Sequence, residues 1–266
     1  MQPMANIALR AARQAGQIIL RAMDRLDELA VEEKGRNDFV SNVDREAETC
    51  IIDALHKAYP DHGILGEEHG SAYSGDEHTW IIDPLDGTTN YLQGIPHFCI
   101  SIALRKGRHI EHGVIFDPVR NETFVASRGF GAQLNNRRIR VSRRERIEEA
   151  VLGTGIPPGA IAAHLDAYMG MLKDFTARSR AIRRAGSAAL DLAYVAAGRT
   201  DGFWEIGLSP WDIAAGTLLV REAGGFVGDF SGGDDFMRSG NIVAGNPKCF
   251  RLMVQMIRAH LTPELR

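Results

Sequence analysis

The chain has 266 residues, 44% of them hydrophobic, enough to bury a large core without a partner, and this excludes a disordered polypeptide. A net charge of −3 is too small to steer the whole molecule to nucleic acid or membrane, so either contact would need a local patch. Cys50, Cys99 and Cys249 lie far apart without paired spacing, which argues against a disulfide framework or a zinc cluster and fits a reduced, cytoplasmic protein.

Met4, Ile7, Ala8, Ala11, Ala15, Ile18, Ile19 and Ala22 recur at helical spacing and predict a first helix. Arg10 and Arg13 interrupt its apolar run, so the segment reads neither as a signal peptide nor as a membrane span. Ala47, Cys50, Ile51, Ala54, Leu55 and Ala58 predict a second helix that Pro60 closes, with Asp44 placed to cap it. Trp80 to Ile82 have the character of a buried strand, and Pro84 with Gly87 is expected to stop it and turn the chain, leaving Asp83 at the strand end. Asp86 follows within one turn. Two carboxylates brought together repel unless a cation lies between them, and an all-oxygen donor set favours magnesium. If Gly87-Thr88-Thr89 opens a helix, its unpaired backbone N–H groups can hold a phosphate. Taken alone, the run fits a capped strand-to-helix turn with surface aspartates equally well.

Phe98–Leu104, Ile110–Phe116 and Glu122–Ala126 read as strands of an antiparallel sheet, joined at Lys106-Gly107 and near Pro118 to Asn121. Helices follow around Ile161 to Phe175, from Ser187 to Ala197, and from Trp211 to Ala223, where Asp212 could be an N-cap. Asn246-Pro247 supplies a cap and a first-turn proline for a last helix. Glu205 sits in the otherwise apolar Gly202-Phe203-Trp204-Glu205, where an unpaired carboxylate is costly to bury, so it is expected to face a ligand. Two arginine groups stand out: Arg137, Arg138, Arg140, Arg143, Arg144 and Arg146, then Arg178, Arg180, Arg183 and Arg184. They read as a solvated face, a subunit interface or a nucleic-acid contact.

The run Trp80-Ile81-Ile82-Asp83-Pro84-Leu85-Asp86-Gly87-Thr88-Thr89-Asn90 resembles the first signature of the inositol monophosphatase family of magnesium-dependent, lithium-sensitive phosphatases. Gly66-Glu67-Glu68 is similar to that family's upstream acidic motif, and Pro210-Trp211-Asp212-Ile213-Ala214-Ala215-Gly216 with Glu222-Ala223-Gly224-Gly225 to its second signature. The resemblance implies an α+β / α/β fold, a layered αβαβα sandwich, as a single catalytic unit over 1–266 with an N-terminal α+β half (1–142) and a C-terminal α/β half (143–266).

The resemblance also implies hydrolysis of myo-inositol 1-phosphate and related polyol phosphates by a water activated between two Mg2+ ions. Glu67, Asp83 and the Leu85 carbonyl would hold the first ion, and Asp83, Asp86 and Asp212 the second. Thr88, with Glu67, would position the water, and Asp86 completes the catalytic set. Gly87, Thr88 and Thr89 would meet the phosphate; Arg183, Ala188 and Glu205, with Asp86 and Asp212, would meet the substrate. Lys34 and Asp44 match a loop pair that helps a third metal site form. Expected partners are a small-molecule phosphate monoester and a second copy of the chain in a homodimer, with no membrane. The same fold also serves fructose-1,6-bisphosphatases and nucleotide 3′-phosphatases. An alternative of another class comes from bacterial members of the family, which join transcription antitermination at ribosomal RNA operons through Nus-type factors and RNA polymerase.

Overall fold

The computed structural model describes residues 2–26, 31–35, 38–73, 77–156 and 158–265. In chain order the elements are α1 (Pro3–Met23), β1 (Val31–Gly35), β2 (Asp38–Ser41), α2 (Asn42–Ala58), β3 (Gly63–Gly66), β4 (Gly70–Ala72), β5 (His78–Asp86), α3 (Thr88–Leu92), β6 (Cys99–Lys106), β7 (His109–Asp117), β8 (Glu122–Ser127), β9 (Gly131–Leu134) and β10 (Arg137–Arg138). Then come β11 (Val151–Thr154), α4 (Pro158–Arg178), β12 (Ala181–Arg183), α5 (Ala188–Ala196), β13 (Gly202–Glu205), α6 (Pro210–Glu222), β14 (Phe226–Gly228), α7 (Phe236–Ser239), β15 (Ile242–Gly245) and α8 (Pro247–Ile257).

An eight-stranded sheet has the order β10-β9-β8-β7-β6-β5-β3-β4, and a five-stranded sheet the order β12-β11-β13-β15-β14. The first is antiparallel, as the hairpin signals predict, except where β3 runs parallel to β5. Three apolar clusters fix the layers. Ala8, Ala15, Ile19, Ile51 and Leu55 of α1 and α2 pack on Ile100, Ile102 and Leu104 on one face of the large sheet. Cys99, Ala103, Ile115 and Phe124 on its other face meet α5 and α6, whose opposite sides meet Phe203 and Ala244 of the small sheet. Leu152, Trp204 and Val243 on the far face of that sheet pack under α4 and α8. The stack is therefore αβαβα, and the period-2 alternation along β6 is what lets one strand serve two cores.

Local signals set the element ends. The Asn246 side chain accepts from the amides of Lys248 and Cys249 and starts α8. Gly107 (φ 56°) and Asn121 (φ 50°) take the left-handed conformation at the two predicted hairpin turns. At Gly16 an added Cβ would lie 2.8 Å from the Phe116 ring, so the small residue lets α1 lie close on the sheet. Among the described residues, no helix is long and apolar enough to cross a membrane.

Candidate active site

Pro84 does not stop the strand as expected. β5 continues to Asp86, with a slip in its ladder to β6: Asp83 lies opposite Ser101 and Asp86 opposite Cys99, three steps on one strand against two on the other. Proline is tolerated at such a bulge because the irregularity needs no N–H from it. In a regular strand, residues three apart face opposite sides. The extra residue cancels that alternation and brings both carboxylates to one side.

Other elements converge on this point. The parallel register sets Gly66 beside Ile82, and the Glu67 amide donates to the Ile82 carbonyl at 3.2 Å, so Glu67 follows next to Asp83. The Ser101 hydroxyl donates to the Trp211 carbonyl (3.2 Å) and docks the start of α6, which carries Asp212. Ser209, not Asp212, is the N-cap of α6; Asp212 stands three residues in and accepts from the Ser209 amide at 2.7 Å. Asp86 Oδ2 accepts from the Ser187 hydroxyl (2.6 Å) and the Ala189 amide (2.7 Å), so it is held at the N-terminus of α5.

The charges in this cleft oppose one another. Burial raises the Asp83 carboxyl well above the ordinary carboxylate range, and the negative charges of Glu67, Asp86 and Asp212 raise it further. Burial also lifts Asp86, partly offset by the Ser187 hydroxyl and the α5 amides. Glu205, at the end of β13, is raised well above its usual range by burial, then by Asp191, Asp212 and Asp86, with Arg184 opposing. Asp191 is raised by burial and Asp86, again against Arg184. These oxygen donors form a hard, anionic set that fits a divalent cation of the magnesium type, whose charge would relieve the repulsion. Among the described residues, no three of them are already drawn around one point as a closed metal cage.

Leu85 is buried, and its carbonyl accepts from the Thr88 hydroxyl at 3.0 Å. The same hydroxyl lies 3.2 Å from Asp44 Oδ1, and its one proton serves one of the two acceptors at a time. Asp44 lies buried in the first turn of α2. Gly87 (φ 103°) precedes α3, where a Cβ would meet the carbonyls of His97 at 3.0 Å and Gly186 at 3.2 Å. Thr89 is exposed, and Ala188 is buried as the first residue of α5. Glu205 is buried against Gly155, where any side chain would collide with its carboxylate. Arg183 is exposed on edge strand β12; the arginine that offsets the charge of Asp191 and Glu205 is its neighbour Arg184. Lys34 is on β1, and its side chain lies outside the described residues.

Three contributors escaped sequence reasoning. Glu48 is fully buried; it accepts from the amides of Glu68 (3.2 Å) and His69 (2.8 Å) and pairs with the His69 ring, fixing the loop that presents Glu67. Its signal was a carboxylate on the apolar face of α2, one turn from Ile51 and Ile52, where an unpaired charge is costly. Asn90 Nδ2 donates to the carbonyls of His97 (2.7 Å) and Ala185 (2.9 Å), tying α3 to the segment before α5. Asp191 has one oxygen without a hydrogen-bond partner among the described residues, and only its place in the first turn of α5 hinted at a role.

A family model described as the inositol monophosphatase family matches residues 1–262. "Nus factor SuhB" of Pseudomonas aeruginosa is 55% identical over 270 residues, with all of both chains covered. "Nus factor SuhB" of Escherichia coli K12 is 50% identical over 267 residues, again covering both fully. The solved extragenic suppressor protein suhB of Bartonella henselae superposes with a TM-score of 0.93 at 47% identity, over 96% of this chain and 98% of the other. The inositol monophosphatase of Anabaena (Nostoc) sp. PCC 7120 superposes with a TM-score of 0.86 at 35% identity, over 96% and 95%.

Proposed function

The chain belongs to the inositol monophosphatase family, and from that premise we propose that it hydrolyses myo-inositol 1-phosphate and related polyol phosphates with Mg2+. The observation that carries this reading is the bulge in β5 that brings Asp83 and Asp86 to one side, with the parallel register of β3 setting Glu67 next to Asp83. Glu67, Asp83, the Leu85 carbonyl, Asp86 and Asp212 are the residues that would hold the metal. Bound there, Mg2+ supplies a more acidic water and neutralises charge developing on the phosphate and leaving oxygens.

The chain's own groups do the rest. Thr88, with Asp44 as one acceptor for its proton, orients the attacking water from the protein side, and Glu67 takes part from the turn after β3. The Gly87 and Thr88 amides bind phosphate oxygens; α3 has only five residues, so its amides rather than a macrodipole do this. Ala188 and Glu205 meet the polyol, whose hydroxyls are good donors to a buried carboxylate. In this reading 1–142 and 143–266 act as one catalytic unit with the site between them.

Phosphate release from inositol 1-phosphate, with magnesium, without it, and with lithium added, tests the proposal beside fructose 1,6-bisphosphate and a 3′-phosphonucleotide. Magnesium-dependent, lithium-inhibited release from the inositol ester supports it. Preference for another ester moves the substrate within the fold, and release from none refutes the enzymatic reading.

A second reading has its own observation. Relatives that are 50–55% identical over the full length carry the name Nus factor, and the arginines from Arg137 to Arg146 and from Arg178 to Arg184 are exposed. We infer a contact with Nus-type factors or RNA polymerase that does not need catalysis. Loss of co-migration with the elongation machinery at low salt would sink it.

A further inference from the structure

A concave site lies at the other end of α6 from Asp212. Ten residues separate Asp212 from Glu222, which at 1.5 Å per residue is about 15 Å along the helix axis. The cavity, of about 670 Å³, is lined by Arg105, Arg108, Arg128 and Arg221 around the apolar Leu218 and Phe236. That volume is in the range of small-molecule sites.

Its charge is the informative feature. Arg128 pairs with Glu111 at 3.1 Å, and Arg221 pairs with Asp234 at 2.7 Å while its guanidinium lies 5.3 Å from the centre of the Phe236 ring. Glu222 spends both carboxylate oxygens on backbone amides, Gly129 at 2.8 Å and Gly131 at 2.6 Å. Among the described residues, Arg105 donates only to the Thr79 hydroxyl (3.3 Å) and Arg108 meets no carboxylate. Two guanidinium groups on one β6–β7 hairpin therefore line the cavity without a direct ion-pair partner among the described residues, beside the amide-bound Glu222 and the Arg221-paired Asp234, and each presents planar donors that match phosphate oxygens.

We propose that this cavity binds a small organic diphosphate, with Arg105 and Arg108 on the phosphates and the Leu218 and Phe236 side receiving the organic part. The concavity selects a small molecule over a nucleic-acid strand, which would need an open groove. The two ion pairs hold Arg128 and Arg221 in place as walls, so the site is largely pre-organised.

Calorimetry with ADP, adenosine and inorganic pyrophosphate on the full chain, in EDTA so that the candidate metal cleft is silenced, tests this. ADP binding should weaken at least tenfold in Arg105→Ala/Arg108→Ala and be unchanged in Asp83→Asn. Adenosine should not bind, and pyrophosphate should bind more weakly than ADP. Thermal unfolding of the double variant, whose substituted side chains reach solvent, reports that it is folded. No ADP binding to the wild-type chain, equal affinity in the double variant, or capture of an oligoribonucleotide by the two arginines without ADP binding would each overturn the proposal.

Discussion

Buried carboxylates occur in two kinds of place in this protein. Asp201 is fully enclosed and fully partnered: it accepts from Ser142 Oγ at 2.5 Å, Arg144 Nε at 3.1 Å and the Val151 amide at 2.8 Å. Asp117 is likewise held by Arg120 through its backbone amide and guanidinium, both at 2.8 Å. The buried Asp83, Asp191 and Glu205 and the half-buried Asp86 are set against one another instead, with exposed Arg184 as the cation that offsets two of them. Burying a charge is costly unless it is paired, so the first group is architecture. The second group keeps an electrostatic deficit that only a bound cation or proton can settle. The difference separates what folds the chain from what the chain does.

Asp83→Asn should separate the two kinds most sharply. It removes a charge the site needs and the fold does not, so turnover should fall by more than about 100-fold, beyond the loss typical of outer-shell partners. The metal-free variant should melt no lower than the wild type, because a mutual repulsion is relieved; phosphate release and thermal unfolding together check this. Asp201→Ala should do the reverse. Leaving the Val151 amide and the Ser142 hydroxyl without their acceptor should cost about 3 kcal/mol in urea unfolding, while turnover measured well below the transition changes little.

Gly66→Ala should affect both stability and turnover, because Gly66 lies between a partnered carboxylate and the site. Its Cβ would fall 2.2 Å from Glu48 Oε1, displacing a partnered carboxylate that anchors the loop presenting Glu67. Stability should drop by about 2 kcal/mol, and turnover should fall with it, seen as a lower kcat in a protein still folded at the assay temperature.

The smallest effect is a pH dependence. The raised carboxyls of Asp83, Asp86, Asp191 and Glu205 bind protons more tightly in the folded state than in the unfolded one. Their contribution to stability is whole below the ordinary carboxylate range and is lost as pH rises through their raised values. The gain in Tm from added Mg2+ should therefore grow by a few degrees between about pH 5 and about pH 8. A gain that is flat or shrinks over that range would mean that these carboxyls do not compete with the metal for protons.

Much of this was legible in the chain because short-range signals carried it. Alanine spacing in α1, the Asn246-Pro247 start of α8 and the Gly107 turn each act within a few residues, and the acid motifs are contiguous. The bulge at Pro84 was misread as a strand end, since proline removes a donor either way and only the partner strand shows which outcome occurs. The parallel β3–β5 pair, which sets Glu67 beside Asp83, is a long-range pairing with no local mark. Glu48, Asn90 and Asp191 were missed for a related reason: Glu48 meets amides 20 and 21 residues away, Asn90 reaches a carbonyl in the second half of the chain, and Asp191 faces Asp86 and Glu205 of other elements. Arg184, just past edge strand β12, has no local mark either, because which of two adjacent arginines acts on the buried acids depends on side-chain direction.

Titrating EDTA-treated protein with MgCl2 in a calorimeter, wild type beside Asp83→Asn, tests the claim that the opposed carboxylates form a divalent-cation site. The wild type should give a saturable isotherm that is lost or weakened at least tenfold in the variant. Identical isotherms, or no binding by a folded wild-type protein, would contradict it.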